Sequence, residues 1–291
     1  MKATSQIDFS VIVATYNRAA MLPRALDSIL EQSFAAREII VVDDGSSDGT
    51  ASLMRYCYPQ VRYRYIRHSG VSAARNCGIA AAKSSWLAFL DSDDSWQSDK
   101  LARQAALITE TPGLRWLHTN ETWIRDGRVL GQKPRHRKTG GNIFDRALQL
   151  CCVSPSAVAI EREVFSEFGM FDESLKACED YDLWLRIAAK LPIGFVDAPL
   201  VVKYGGHDDQ LSRRTPTLDY YRIAALGNLI ASGRLGRPQA DAAMQMLRQK
   251  VRIFVTGARK RGRDGAVAAA LNILDKTVDR YAAEYRHCSA E

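Results

Sequence analysis

Trp86-Leu87-Ala88-Phe89-Leu90-Asp91-Ser92-Asp93-Asp94 is a short apolar run that stops at three carboxylates within four residues. Taken as a strand, such a run belongs inside a sheet with both faces covered. A buried strand that delivers Asp91, Asp93 and Asp94 at its end has to offset their mutual repulsion. A hard divalent cation, which prefers oxygen ligands, is the usual solution. The spacing lets Asp91 and Asp93 face one ion and leaves Asp94 to solvent, a helix N-terminus or a supporting role. The same acids also read as an ordinary helix cap ahead of Gln97–Leu107. An Asp-x-Asp alone does not choose between the two.

Upstream, Phe9-Ser10-Val11-Ile12-Val13-Ala14-Thr15 is a β-branched run that ends in Tyr16-Asn17-Arg18. A helix is expected over about 20–32, with Leu22, Leu26, Ile29 and Leu30 on one face. Glu38-Ile39-Ile40-Val41-Val42 then leads into Asp43-Asp44-Gly45-Ser46 and a second helix near 50–58. Strands alternating with helices at this spacing predict a parallel α/β sheet. Ligands of such sheets bind beyond the carboxyl ends of the strands, where three polar clusters of this chain converge. There is no Gly-x-Gly-x-x-Gly after the first strand and no Gly-x-x-x-x-Gly-Lys-Ser/Thr. A phosphate-bearing ligand would therefore need a metal or an arginine. Arg75, in Gly70-Val71-Ser72-Ala73-Ala74-Arg75-Asn76-Cys77-Gly78, suits an oxyanion, or a salt bridge to a neighbouring carboxylate.

Ser10–Asn17, Val42–Asp48, Gly70–Gly78 and Leu90–Asp94, in that order, resemble the motifs of family 2 glycosyltransferases over roughly residues 7–215. The resemblance implies an α/β, GT-A-type fold with a mostly parallel central sheet, a nucleotide-diphosphate sugar donor, and Mg2+ or Mn2+. It implies that Ala14 and Tyr16 lie at the nucleobase pocket, with Asn17 and Ser92 also on the donor nucleotide. Asp44 would contact the base or ribose, and Arg75 would lie near the base and diphosphate. Asp91 and Asp93 would form the metal motif, with His207 near the metal or diphosphate.

Beyond residue 110, Arg115–Ile124 reads as a strand, Asp126-Gly127 as a turn and Val153–Ile160 as another strand. Ser154 and Ser156 fall near the site in the family pattern, and Gly169–Glu173 matches a structural turn. Lys133–Gly141 is a basic stretch that reads as a solvated loop or as a flap over an anionic ligand. Glu179-Asp180-Tyr181-Asp182 opens a helix, and acids in a first turn are favourable there through the helix dipole alone. The resemblance assigns Asp180 as catalytic base, taking the acceptor hydroxyl's proton during an inverting transfer. The processive motif Gln-x-x-Arg-Trp does not follow, so a single addition is expected.

Residues 217–291 hold thirteen Lys and Arg against seven Asp and Glu, nearly all of the chain's net charge of +7. The surplus fits an anionic membrane surface, nucleic acid or a solvated helical face; the resemblance favours no nucleic-acid partner. Helices are expected near 217–232, 238–260 and 264–287. Val267, Leu271, Leu274, Val278, Tyr281 and Tyr285 would form a seam against the other helices or a second subunit, as in a homodimer. Arg259-Lys260-Arg261-Gly262-Arg263 offers a peripheral membrane contact. The division expected is a transferase domain over 1–216, with nucleotide part 7–110 and acceptor part 111–216, and a helical C-terminal extension over 217–291. The six cysteines read as free, mostly buried thiols. No run reaches transmembrane length and no signal-peptide core stands at the start, so a cytoplasmic protein, or one at the inner membrane face, is expected. The acceptor would be a glycan, a lipid-linked glycan or a small molecule. A non-catalytic nucleotide-sugar-binding scaffold in a glycan assembly is the rival function.

Overall fold

A computed structural model describes residues 7–131, 133–206 and 218–285. β1 (Phe9–Thr15), β2 (Glu38–Asp43), β3 (Arg62–Tyr65) and β4 (Trp86–Asp91) pair in parallel in the order β3-β2-β1-β4. The crossovers carry α1 (Leu22–Leu30), α2 (Thr50–Cys57) and α3 (Val71–Ala81). In α1 the buried residues Leu22, Ala25, Leu26 and Ile29 follow the spacing of one helical face, and a proline opens its first turn. These side chains share a core with Val11, Val13, Val41 and Leu90 of the sheet.

Beyond β4 the sheet turns mixed. Next in sequence come β5 (Ser95–Trp96), α4 (Lys100–Glu110), β6 (Trp116–Arg125) and β7 (Arg128–Leu130). Asp126 and Gly127, both at positive φ, make the tight turn between β6 and β7. They are followed by α5 (Phe144–Gln149), β8 (Val158–Glu161), α6 (Arg162–Phe168), α7 (Glu179–Ala188) and β9 (Gly194–Gly205). The strand order among the described residues is β3-β2-β1-β4-β8-β6-β9-β5, with β7 on β6. The strand expected over Val153–Ile160 is shorter than predicted, because Pro155–Ala157 form a turn of 3-10 helix.

Two compact units interleave along the chain, whereas the sequence reading divides it at 216. Among the described residues, one holds 7–131, 133–143, 152–173 and 191–206, and so the whole sheet; the other holds 144–151, 174–190 and 218–285. The second contains α5, α7 and the helices α8 (Leu218–Ala231), α9 (Arg237–Arg259) and α10 (Asp264–Tyr285). The three tail helices lie where the sequence predicts them, but the buried face of α10 matches the predicted seam only at Val267 and Tyr285. Its buried residues are Val267, Ala270, Thr277 and Tyr285, while Leu271, Leu274, Val278 and Tyr281 are half-buried. Close packing selects the smaller side chains: a Cβ on Gly227 of α8 would meet Ile273 and Thr277 of α10 at 2.9 and 3.1 Å. No described helix is long and apolar enough to cross a membrane. No disulfide joins the described cysteines, but they are not buried: Cys57 is exposed, and Cys77, Cys151, Cys152 and Cys178 are half-buried.

Gly78 seats α3 on β1, since a Cβ there would stand 2.4 Å from Ile12 Cγ2. Gly78→Ala gains helix propensity but overpacks a fully buried contact. A net loss of about 1–2 kcal/mol is expected, read as a lower urea midpoint with an unchanged slope.

Candidate active site

The carboxyl ends of β1, β2 and β4 lie level, because Ala14 pairs with Val42 on one side and Asp91 on the other. The loops after β1 and β2 are stitched together. Asn17, at φ 50°, donates its backbone N–H to Ser46 Oγ, and its side-chain oxygen accepts from Ser47 N–H, both at 2.8 Å. Asp43 is fully buried, with Ser46 N–H and Tyr63 Oη–H on its two oxygens at 2.8 and 2.6 Å. Asp44 accepts from Ser69 N–H at 2.7 Å and Gly70 N–H at 2.9 Å, and His68 Nδ1 lies 2.9 Å from its Oδ2. Both carboxylate oxygens of Asp44 thus hold the loop that starts α3. Gly45, at φ 82°, is needed here, since a Cβ would stand 2.8 Å from the His68 nitrogen. Tyr16 stacks on His68 with ring centroids 4.2 Å apart and keeps 41% of its surface exposed, an aromatic face at the strand ends.

At the end of β4 every acid meets a cation. Arg75 of α3 donates to Asp91 Oδ1 at 2.8 Å, and its guanidinium lies over the Phe171 ring at 5.3 Å. Asn76 fixes that ring by holding the Phe171 carbonyl and N–H at 2.9 and 3.1 Å, which gives the Gly169–Glu173 turn a part in aiming Arg75. Arg18 pairs with Asp93 at 2.7 Å, and Arg24 donates to the Asp93 carbonyl at 2.6 Å. Lys203 Nζ lies 3.0 Å from Asp94 and 3.7 Å from Asp91. Lys203 and Tyr204 arrive because β5, directly after Asp94, pairs with β9 through Ser95–Val202 and Trp96–Val201. Of the three places the sequence leaves open for Asp94, the structure takes the supporting one: it is 2% exposed and accepts from Ser156 Oγ–H at 2.6 Å. Ser156 Oγ in turn accepts from the Asp91 N–H at 3.1 Å, so one hydroxyl ties the first acid to the last. Ser92 is buried beside them.

The electrostatics follow from this alternation. Burial pushes Asp94 up to about 6, against Lys203 and with help from Asp91 and Asp93. Burial would raise Asp91 too, but Arg75, then Lys203 and Arg18, hold it below the ordinary carboxylate value. Burial disfavours the Lys203 ammonium, yet Asp94, Asp91 and Glu121 outweigh it and hold Lys203 well above the usual lysine value.

Glu121 brings in the basic stretch that sequence reads as a solvated loop or flap. Lys138 is 5% exposed, and its ammonium donates to Glu121 at 2.9 Å and to Ser154 Oγ at 3.0 Å. Ser154 and Trp123 Nε1 also donate to Glu121. Lys133, Arg135 and Arg137 of the same stretch are exposed. The loop is anchored at Lys138 and solvated around it.

Asp180 belongs to the helical unit. Of the three acids in the first turn of α7, Glu179 and Asp182 are 5% and 4% exposed, while Asp180 is half-buried. Asp182 is gripped by Arg186 at 2.8 and 3.0 Å. Asp180 Oδ1 accepts from Tyr181 N–H at 2.7 Å and Oδ2 from the Cys151 thiol at 3.3 Å. Cys178 precedes the helix in the left-handed region at φ 61°, and burial, with Asp180 adding to it, pushes its thiol up to about 12. His207 lies outside the described residues.

No group of three His, Cys, Asp or Glu forms a metal-ligand set among the described residues. Asp91, with 28% of its side chain exposed, and Asp93 are the two carboxylates open to a cation, each already on an arginine. Two carboxylates suit a hard ion that completes its shell with phosphate oxygens and water, as Mg2+ does. Sequence reading finds the acids and Arg75 but misses Arg18, Arg24, Lys203 and Phe171 as their partners.

The model of the family described as "Glycosyl transferase family 2" matches residues 10–169. An uncharacterised glycosyltransferase of Rickettsia felis is 34% identical over 193 residues, which are 66% of this chain and 32% of that protein. The chain thus spans about a third of that relative's length. A PGL/p-HBAD biosynthesis glycosyltransferase of Mycobacterium bovis is 32% identical over 201 residues, 67% of this chain and 73% of that one. Among solved structures, S. aureus TarS 1–349 in complex with UDP-GlcNAc superposes with a TM-score of 0.72 at 18% identity, covering 96% of this chain and 90% of that one. That likeness identifies the fold as GT-A-type.

Proposed function

The chain belongs to glycosyl transferase family 2, and from that footing we propose that it moves one sugar from a nucleotide-diphosphate donor to a hydroxyl acceptor with inversion. The observation that carries the reading is the row of cations around the acids after β4: Arg18, Arg75 and Lys203 on the carboxylates, and Arg24 on the Asp93 carbonyl. A site that balances its carboxylates with arginine and lysine can give those donors to a diphosphate when a ligand arrives. The solved neighbour bound to UDP-GlcNAc supports a nucleotide-sugar donor.

In this reading the nucleobase meets the Tyr16 face beside His68, with Ala14, Asn17, Asp44 and Ser92 lining the nucleotide. Arg75 and Lys203 hold the diphosphate and stabilise charge as it departs. Bound Mg2+ or Mn2+, held by Asp91 and Asp93 with His207 as a third candidate, would supply further positive charge to that leaving group. Asp180 takes the acceptor hydroxyl's proton while its oxygen attacks the anomeric carbon. The new bond to that oxygen forms as the bond to the donor phosphate breaks, on the opposite face, which inverts the centre. A glycan, lipid-linked or small-molecule acceptor in cell-surface glycan or polysaccharide synthesis is the proposed setting.

A screen of UDP-GlcNAc, UDP-glucose, UDP-galactose, GDP-mannose and dTDP-rhamnose with Mn2+ tests this. The correct donor at about a hundred times its Kd is expected to stabilise the protein by about 2.7 kcal/mol, read as a higher Tm, and to release nucleoside diphosphate. Arg75→Ala is expected to lose most of that shift. A shift without any release over the acceptors tried would favour the scaffold; no shift with any member would remove the donor reading.

A further inference from the structure

Two neighbouring side chains at the start of α7 dock on the same short segment. Tyr181 Oη–H donates to the Leu148 carbonyl at 2.7 Å, and Asp180 Oδ2 accepts from the Cys151 thiol at 3.3 Å. The segment itself is tied down, because Lys250 Nζ donates to the Gln149 carbonyl at 3.0 Å. On the other side, Cys178 takes a backbone conformation that non-glycine residues adopt at a cost. Its thiol donates to the Leu218 carbonyl at 3.6 Å. The first turn of α7 is thus clamped on both flanks, and the one side-chain group that touches the Asp180 carboxylate among the hydrogen bonds described is a thiol.

We propose that Cys151 is a positioning residue for Asp180, its thiol holding the carboxylate in the orientation from which it accepts the acceptor's proton. This rests on the reading of Asp180 as the base. The choice of donor makes physical sense. A carboxylate with one oxygen on its own helix's Tyr181 N–H can still turn about its terminal torsion, which is broad. A second contact at Oδ2 fixes that torsion. A thiol is a weak donor, so it orients the group without competing strongly for the lone pairs that must take a proton. Asp182 shows the contrast, since Arg186 grips it with two charged N–H groups and it is buried.

The test compares Cys151→Ala, Cys151→Val, Cys151→Ser and Asp180→Asn with wild type. Crystal structures read the Asp180 carboxylate, and nucleoside diphosphate release from the best donor of the five-member panel reads kcat and donor KM. In the Ala and Val proteins the carboxylate is expected to rotate away from its wild-type plane. Their kcat is expected to fall about three- to tenfold, the loss of a weak hydrogen bond to a charged group, with donor KM unchanged. A serine hydroxyl at 151 is expected to restore both. Val leaves an apolar side chain at least as large as the native one, so a loss caused by a cavity alone would spare it and overturn the proposal. An unmoved carboxylate in Cys151→Ala overturns it too, as does Ser behaving like Ala. The two readings separate cleanly: an active Asp180→Asn removes the base, whereas an inactive Asp180→Asn beside a fully active Cys151→Ala removes only the role of Cys151.

Discussion

Asp180→Asn is expected to lower kcat about a thousandfold and to leave donor binding intact. The side chain keeps its shape, and an amide oxygen still accepts from Tyr181 N–H, so α7 is expected to fold as before. What is lost is a basic oxygen for the acceptor's proton. The three acids of this turn are distinguishable by environment alone. Glu179 and Asp182 are buried, and Asp182 is spent on Arg186, while Asp180 keeps exposed surface. The helix-dipole account of the cluster treats all three alike and predicts a change in stability, not in turnover. Steady-state kinetics beside the donor-induced thermal shift decide between them. Azide offers a second measure: a nucleophile with no proton to lose is expected to regain glycosyl transfer in Asp180→Asn but not in Arg75→Ala. If Asp180→Asn keeps kcat within about tenfold of wild type, Asp180 is not the general base, because such a base contributes about a hundredfold or more.

What could be read from sequence follows the range of the physics involved. The runs before Thr15, Asp43 and Asp91 announce themselves, because β-branched and apolar residues that stop at polar ones are local signals. The parallel order from β3 to β4 follows from the crossovers. The partners of the acids are a different matter. Lys203 stands next to Asp94 only because two residues, Ser95 and Trp96, pair with β9, and a two-residue strand carries no periodicity. Lys138 sits in a run of cations, where composition argues for solvent; only the fold brings Glu121 under it. Phe171 reads as turn chemistry until Asn76 is seen to hold it under Arg75. On α10 the apolar spacing is real, but Ala270 and Thr277 take the buried positions that larger residues were expected to fill. In each case the missing information is a long-range contact, which no window of residues contains.

Glu121 and Lys138 give the largest expected effect on stability. Both side chains are 4% exposed, and their charges lie 2.9 Å apart. Removing one partner strands the other charge away from water, which costs about 3–5 kcal/mol. Glu121→Ala is therefore expected to lower the Tm by roughly 10 °C. Replacing both, as Glu121→Leu with Lys138→Met, is expected to recover most of that loss, because no orphan charge remains. The pH dependence adds an independent reading. Burial alone would raise the Glu121 carboxyl, but Lys138, Lys203 and Ser154 overcome it and hold it at about 2, against an ordinary 4.5. A depressed acid stabilises the fold fully above its unfolded value. That contribution, about 3 kcal/mol, is expected to vanish as pH falls from about 4.5 to about 2. Urea midpoints taken across that window are expected to drop steeply in wild type and much less in the double replacement. Equal slopes in the two proteins would mean that the Glu121 charge titrates in the fold as it does in the unfolded chain, and the buried pair would then contribute nothing to holding Lys138 in place.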